Sequence, residues 1–145
     1  KAELLLAQEV FPVCSPAIAE KLKEPADILK IPAVIDGHST LSWEMWLREV
    51  GLSGEQMVTR HVFNDASLCL DAAIAGQGVM LGWQTLAAYS LIEKRLVMPF
   101  PVRAMTAFGH YFVTPPTRRE TKTVLAFKQW VREEIAESMR RLGFE

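Results

Sequence analysis

The segment Phe63-Asn64-Asp65-Ala66-Ser67-Leu68-Cys69-Leu70-Asp71-Ala72-Ala73-Ile74-Ala75-Gly76-Gln77-Gly78-Val79-Met80-Leu81 sets the fold class. The residues leading into it, 58–63, are rich in β-branched and aromatic side chains and predict a strand. Asn64-Asp65 turns the chain. Asp65 or Ser67 can then cap a helix over 67–75 by accepting its free N–H groups. Gly76 is a natural helix stop, and Val79-Met80-Leu81 reads as the next short strand. Strand, helix and strand in close succession is the building unit of an α/β sheet.

The same rhythm extends in both directions. Upstream, 9–14 is a short apolar run closed by Ser15-Pro16, with Ser15 as helix cap and Pro16 at the first helical position. Pro25 and Pro32 confine 26–31 to a turn of helix, and 33–35 is a strand broken by Asp36-Gly37. Residues 41–50 carry Trp43, Trp46, Leu47 and Val50 at helical spacing, with Ser39 or Thr40 as cap and Gly51 as stop. Downstream the pattern predicts a helix over 85–93 and strands at 96–98 and 107–113. After Pro115-Pro116 comes a final helix over about 120–141, with Val124, Phe127, Val131 and Ile135 on one stripe. The alternation predicts a largely parallel sheet with helices on its faces. In such sheets ligands lie at the carboxyl ends of the strands, which here means Ser15-Pro16, residues 36–40 and residues 64–67.

Composition bounds the function. The 145 residues are 50% hydrophobic and 23% charged, enough for one ordinary core. Sixteen basic residues against 17 acidic ones leave a net charge of −1, so there is no broad cationic field to grip a phosphate backbone. No apolar run reaches the ~18–20 residues of a membrane span. The first residue is Lys1, and residues 2–7 lack the basic lead and apolar length of a secretory signal, so a piece of a longer or processed chain is expected. Cys14 and Cys69 stand far apart without metal-like spacing, which favours two buried thiols in a reducing cytoplasm.

Four segments then carry a family resemblance. Val13-Cys14-Ser15-Pro16-Ala17-Ile18-Ala19 resembles the "PVCSPALA" segment of LysR-type transcriptional regulators, and Trp43-Glu44-Met45-Trp46-Leu47 resembles their "W..WL" helix. Residues 63–79 resemble their "F.D.S..L.AA.AGQGV" segment. Tyr111 to Val113, Pro115-Pro116 and Ala126-Phe127-Lys128-Gln129-Trp130-Val131 resemble the ending. The segments occur in order over nearly the whole chain, in the vocabulary of the glycine-cleavage and β-lactamase regulator branch. The resemblance implies an effector-binding domain with a fold like that of the type 2 periplasmic binding proteins: α/β, two-lobed, a mixed sheet with helices on both faces. By this analogy 1–12 end the first half of lobe one and cross over, 13–109 form lobe two, and 110–145 return to lobe one. The first half of lobe one and a helix-turn-helix are then missing from the chain.

Several chemistry-bearing residues also have plain structural roles open to them. Gly76-x-Gly78 with Gly82 follows a helix and precedes a strand, the reverse of a dinucleotide-binding order, so helix stop and turn are the better reading. Cys14, His38 and Asp36 form no catalytic motif, and His38, His61 and His110 lack metal-ligand spacing. No catalytic residue, metal or cofactor is expected. Trp43 and Trp46 are expected as core anchors. Asp65 and Ser67 are helix caps that, at a strand end, also suit a zwitterion or a polar ligand. Ser15, His38 and Ser39 fall on the other turns, and the resemblance places Tyr111 near the crossover. The expected effector site is thus Ser15, His38, Ser39, Asp65, Ser67 and Tyr111.

The expected function is small-molecule sensing in the cytoplasm by a bacterial transcriptional regulator. A small polar, amino-acid-like metabolite between the lobes would shift the regulator's conformation. Self-association as a dimer or tetramer would pass that shift to DNA through the absent helix-turn-helix, with no membrane involved. The alternative is a lobe of a solute-binding protein used for transport.

Overall fold

The computed structural model describes residues 1–144 and divides into two compact units, residues 9–105 and residues 1–8 with 106–144. The family analogy puts the corresponding boundaries at 13 and 110. The elements in order are β1 (Ala2–Val13), α1 (Pro16–Ala19), a 3-10 helix (Pro25–Lys30), β2 (Ala33–Asp36) and α2 (Trp43–Glu49). They continue with β3 (Thr59–Phe63), α3 (Ala66–Ile74), β4 (Met80–Trp83), α4 (Gln84–Ile92), β5 (Ala104–Val113) and α5 (Lys122–Leu142).

In the larger unit, β2 and β3 pair in parallel, with Ala33 opposite Thr59 and Asp36 opposite Phe63. The chain leaving α3 joins them through a parallel bridge between Ala33 and Val79. Val79 donates its N–H to Pro32 O and accepts from Val34 N, each at 2.9 Å. Gly78 makes this approach possible, because a Cβ at that position would lie 2.4 Å from Pro32 O. Gly76 ends α3 at φ +78°, where its missing side chain avoids left-handed strain. The glycine pair thus stops the helix and admits a strand, in keeping with the non-nucleotide reading.

The core of this unit is built around Trp46, which is fully buried and donates its Nε1–H to Val102 O at 2.9 Å. Trp43 meets it edge-on at 6.3 Å and Phe100 stacks on it at 6.0 Å, so both tryptophans of the helix serve as anchors. Cys14 and Cys69 are free and buried. Burial pushes the Cys14 thiol up to about 12, which leaves it protonated and unreactive.

The structure corrects several local expectations. The strand pairing is not largely parallel: β1 runs antiparallel to β4 from Val10–Trp83 to Val13–Met80, so the arrangement is mixed. β1 is twelve residues long and begins at Ala2, well before the apolar run that predicted it. The expected strand at 96–98 is a single bridge between Cys14 and Val97. Lys94 turns into a positive φ just before it, and Pro99, lacking an N–H, follows two residues after Val97. α2 starts only after Ser42 and has no side-chain cap, since the Ser39 hydroxyl accepts from Leu41 N instead.

In the smaller unit, β1 and β5 are neighbours in one sheet. Lys1 and Thr114 exchange hydrogen bonds at 2.8 and 2.9 Å, and Thr106 Oγ1 donates to Gln8 O at 3.0 Å, so the two strands run antiparallel. Thr121 caps α5 by accepting from Val124 N. The inward stripe of α5 keeps the half-buried Val124, Val131 and Ile135 of the expected one but not Phe127, which is exposed, while Lys128 and Met139 are buried. Lys128 Nζ donates to Glu3 Oε1 at 2.9 Å and Glu120 Oε1 at 2.8 Å, while Arg132 reaches Glu3 Oε2 at 3.1 Å. A lysine takes the inward place because two carboxylates meet it there, which hydrophobic periodicity does not register.

The Lys128 hydrogen bond, with help from Lys1 and Arg132, brings the Glu3 carboxyl down to about 2, and Lys128 lowers Glu120 as well. A carboxylate depressed in the folded state stabilises above its unfolded pKa, about 4.3 for glutamate, and loses that contribution as pH falls through the folded value. Lys128→Met is therefore expected to lower the melting temperature at pH 7. The difference from wild type should shrink between pH 4.5 and pH 2; a constant difference over that range contradicts the pairing. In the larger unit, Trp46→Phe removes the bond to Val102 O. It should cost about 1–3 kcal/mol in urea unfolding, for a carbonyl left unpaired, and an unchanged midpoint contradicts this.

Candidate functional site

Two of the strand-to-helix turns come together at one end of the larger unit. The parallel register sets Asp36 beside Phe63, and Gly37 N donates to Phe63 O at 2.9 Å. Residues 36–40 and 64–67 therefore leave the sheet side by side. Such a place, at the carboxyl ends of adjacent parallel strands, is where open α/β sheets hold ligands.

Each turn is closed by a carboxylate. Asp36 Oδ1 accepts from His38 N at 2.9 Å, and Asp65 Oδ1 accepts from Ser67 N at 2.6 Å. Asp65 is thus the cap of α3, and the Ser67 side chain, which is exposed, is left for other partners. Both charges act on Cys69, the buried residue in the first turn of α3. The Cys69 thiol is pushed up to about 11, chiefly by burial and then by Asp36 and Asp65. Two carboxylates converging there make the surface favourable for a cation. Asp65 takes the Ser67 N–H, and the other N–H groups of the first turn of α3 face the same end of the helix. A ligand with an ammonium and an acceptor group matches both.

The expected site residues distribute unevenly over the fold. His38, Ser39, Asp65 and Ser67 lie on the two adjacent turns. His38 is exposed and Ser39 half-buried, with Ser39 N donating to Asp36 O at 3.2 Å. Ser15 is buried and caps α1, its Oγ accepting from Ile18 N at 3.4 Å. It faces Gly76, at the end of α3 opposite to Asp65. Nine helical residues separate the two ends, roughly 13 Å at 1.5 Å per residue, so Ser15 does not join the two turns. Tyr111 belongs to the smaller unit, where it is exposed on β5. Sequence reasoning placed Asp36 in the ligand-facing turn at 36–40 but left it out of the expected site, missing that its charge and that of Asp65 both act on Cys69. The signal was its place at the end of a strand parallel to the one that leads into Asp65. Among the described residues, no group of three or more His, Cys, Asp or Glu side chains forms a metal site. No helix among them is long and apolar enough to cross a membrane.

Comparison with known proteins gives a consistent answer. A family model described as the LysR substrate binding domain matches residues 1–136. The glycine cleavage system transcriptional activator of Escherichia coli K12 is 31% identical over 147 aligned positions, covering 99% of this chain and 48% of the activator. The solved effector domain of the transcriptional regulator AmpR of Pseudomonas aeruginosa superposes with a TM-score of 0.75 at 30% identity, over 98% of this chain and 68% of that one. The AmpR effector binding domain of Citrobacter freundii gives a TM-score of 0.73 at 29% identity, over 94% and 68%. The chain spans about half the length of the curated relatives it matches.

The cap at Asp65 is directly testable. Asp65→Ala should cost about 0.5–2 kcal/mol in chemical denaturation, whereas Asp65→Asn, which retains a capping oxygen, should cost much less. Equal losses for the two variants contradict a capping role.

Proposed function

The chain belongs to the family of LysR substrate-binding domains, and from that premise we propose that it is the effector-sensing part of a LysR-type transcriptional regulator. The observation that carries the reading is the juxtaposition of the turns at 36–40 and 64–67, each closed by a carboxylate at the end of a parallel strand. The proposed effector is a small polar metabolite with an ammonium group, amino-acid-like in chemistry. Asp36 and Asp65 attract its cationic end. Ser67, Ser39 and His38 offer polar side chains, and the N–H groups opening α3 donate to its acidic end. Transport by a solute-binding protein is not favoured, since the similar proteins are transcriptional activators and their effector domains.

The role proposed is binding without chemistry. Both thiols are held protonated by burial, so neither supplies a nucleophile at neutral pH. Differential affinity for two conformations is what makes a bound metabolite a switch. In the full-length regulator the switch would act in the cytoplasm through self-association and a helix-turn-helix segment that contacts DNA.

Thermal unfolding against a panel of amino acids, amines, organic acids and amino sugars tests this reading. A concentration-dependent rise in Tm is expected for an amine-bearing compound, by mass action on the folded state. Asp65→Ala combined with Ser67→Ala should weaken that ligand by about 1–3 kcal/mol for each buried polar group left unpaired. Unchanged affinity in a folded double variant removes these residues from the site.

A further inference from the structure

We propose that the larger unit holds a second binding groove, adjoining the proposed effector site, that takes an organic cation with an apolar body. The groove has a volume of about 590 Å3 and lies between the end of β2, helix α2 and the segment 54–59. That size is ordinary for a small-molecule pocket. It contains no residue of the 64–67 turn but shares Asp36, Gly37 and Ser39 with the turn at 36–40, so it adjoins the effector site proposed above and extends away from it along α2.

Its lining has a definite chemistry. The body is apolar, supplied by Ile35, Leu41, Trp43, Leu47 and Met57. Every ionisable side chain on it is acidic: Asp36, Glu44 and Glu55, with no lysine, arginine or histidine among the lining residues. Glu44 is fixed in place, its Oε1 accepting from Ser53 Oγ at 2.8 Å and its Oε2 from Gly54 N at 3.4 Å. Arg48 lies 3.8 Å from Glu44 on the exposed side of α2 and is not part of the lining.

Charge complementarity therefore chooses the occupant. Glu44 is paired with Arg48, and an anion would still face the charges of Asp36 and Glu55, which a cation offsets. A primary amine carried on an aryl or alkyl body places its apolar part against Trp43 and Met57 and its ammonium among the carboxylates. The adjoining cavity, about 30 Å3 and lined by Asp36, Ser39, Trp43 and Trp83, is large enough for one water beside such a group.

Phenethylamine is a suitable probe, with phenylacetate and 2-phenylethanol as its anionic and neutral counterparts. The readout is the Met57 methyl and Trp43 indole N–H resonances of the chain in NMR titrations. Saturable shifts of both are expected with phenethylamine, with at least fivefold weaker binding of the two counterparts. Glu55→Gln, at an exposed position where the fold does not depend on the charge, should weaken phenethylamine at least threefold, and Glu44→Gln likewise. Glu49→Gln, on α2 but outside the lining, should not. The proposal is overturned by no saturable shift at Met57 and Trp43, by equal binding of phenylacetate, or by occupation of the groove by phenethylamine with no dependence on Glu44 and Glu55. Shifts confined to the 64–67 turn also overturn it, while leaving the effector site standing.

Discussion

The approach of Gly78 to Pro32 is the constraint that organises the larger unit. Pro32 O accepts from Val79 N, and only a residue without a side chain fits at 78, where a Cβ would stand 2.4 Å from that oxygen. This contact ties the strand leaving α3 to the start of β2. Because β2 also pairs in register with β3, α3 is anchored at both of its ends. Asp65 thus has a fixed position beside Asp36, and the electrostatics of the candidate site follow from that packing. The chemistry at one end of α3 is set by a backbone contact at the other.

The two units illustrate different ways of satisfying a buried surface. The larger is held by an aromatic cluster around Trp46, whose only polar atom on the ring is paired with a backbone carbonyl. The smaller buries a lysine between two glutamates, where the geometry of several hydrogen bonds offsets the cost of desolvating the charges. Removing one partner there strands the others, so the network has to be kept or replaced as a set.

Much of the fold was legible because local chemistry and global packing agreed. Ser15-Pro16, Asp65 and Gly76 are cap and stop residues whose roles depend on immediate neighbours, and each acts as its sequence context implies. Family resemblance carried by residues 13–19, 43–47 and 63–79 gave the same answer as the family match. What escaped was decided at a distance. The antiparallel β1–β4 pairing, the reduction of 96–98 to a bridge and the inward turn of Lys128 all depend on partners remote in sequence. Of the candidate site, the turns were legible from strand ends. The placing of Asp36 opposite Phe63, which sets the two turns side by side, was not, since parallel register is invisible to periodicity.

The proposed sensing role stands or falls on whether the adjacent turns closed by Asp36 and Asp65 meet the effector of this LysR substrate-binding domain. Amide hydrogen exchange decides it, measured on the chain with and without the metabolite that raises its melting temperature. Exchange should slow at 36–40 and 64–68 beyond the change in the rest of the larger unit. Protection centred elsewhere, with both turns exchanging as before, would put the effector away from these carboxylates and refute the role assigned to them.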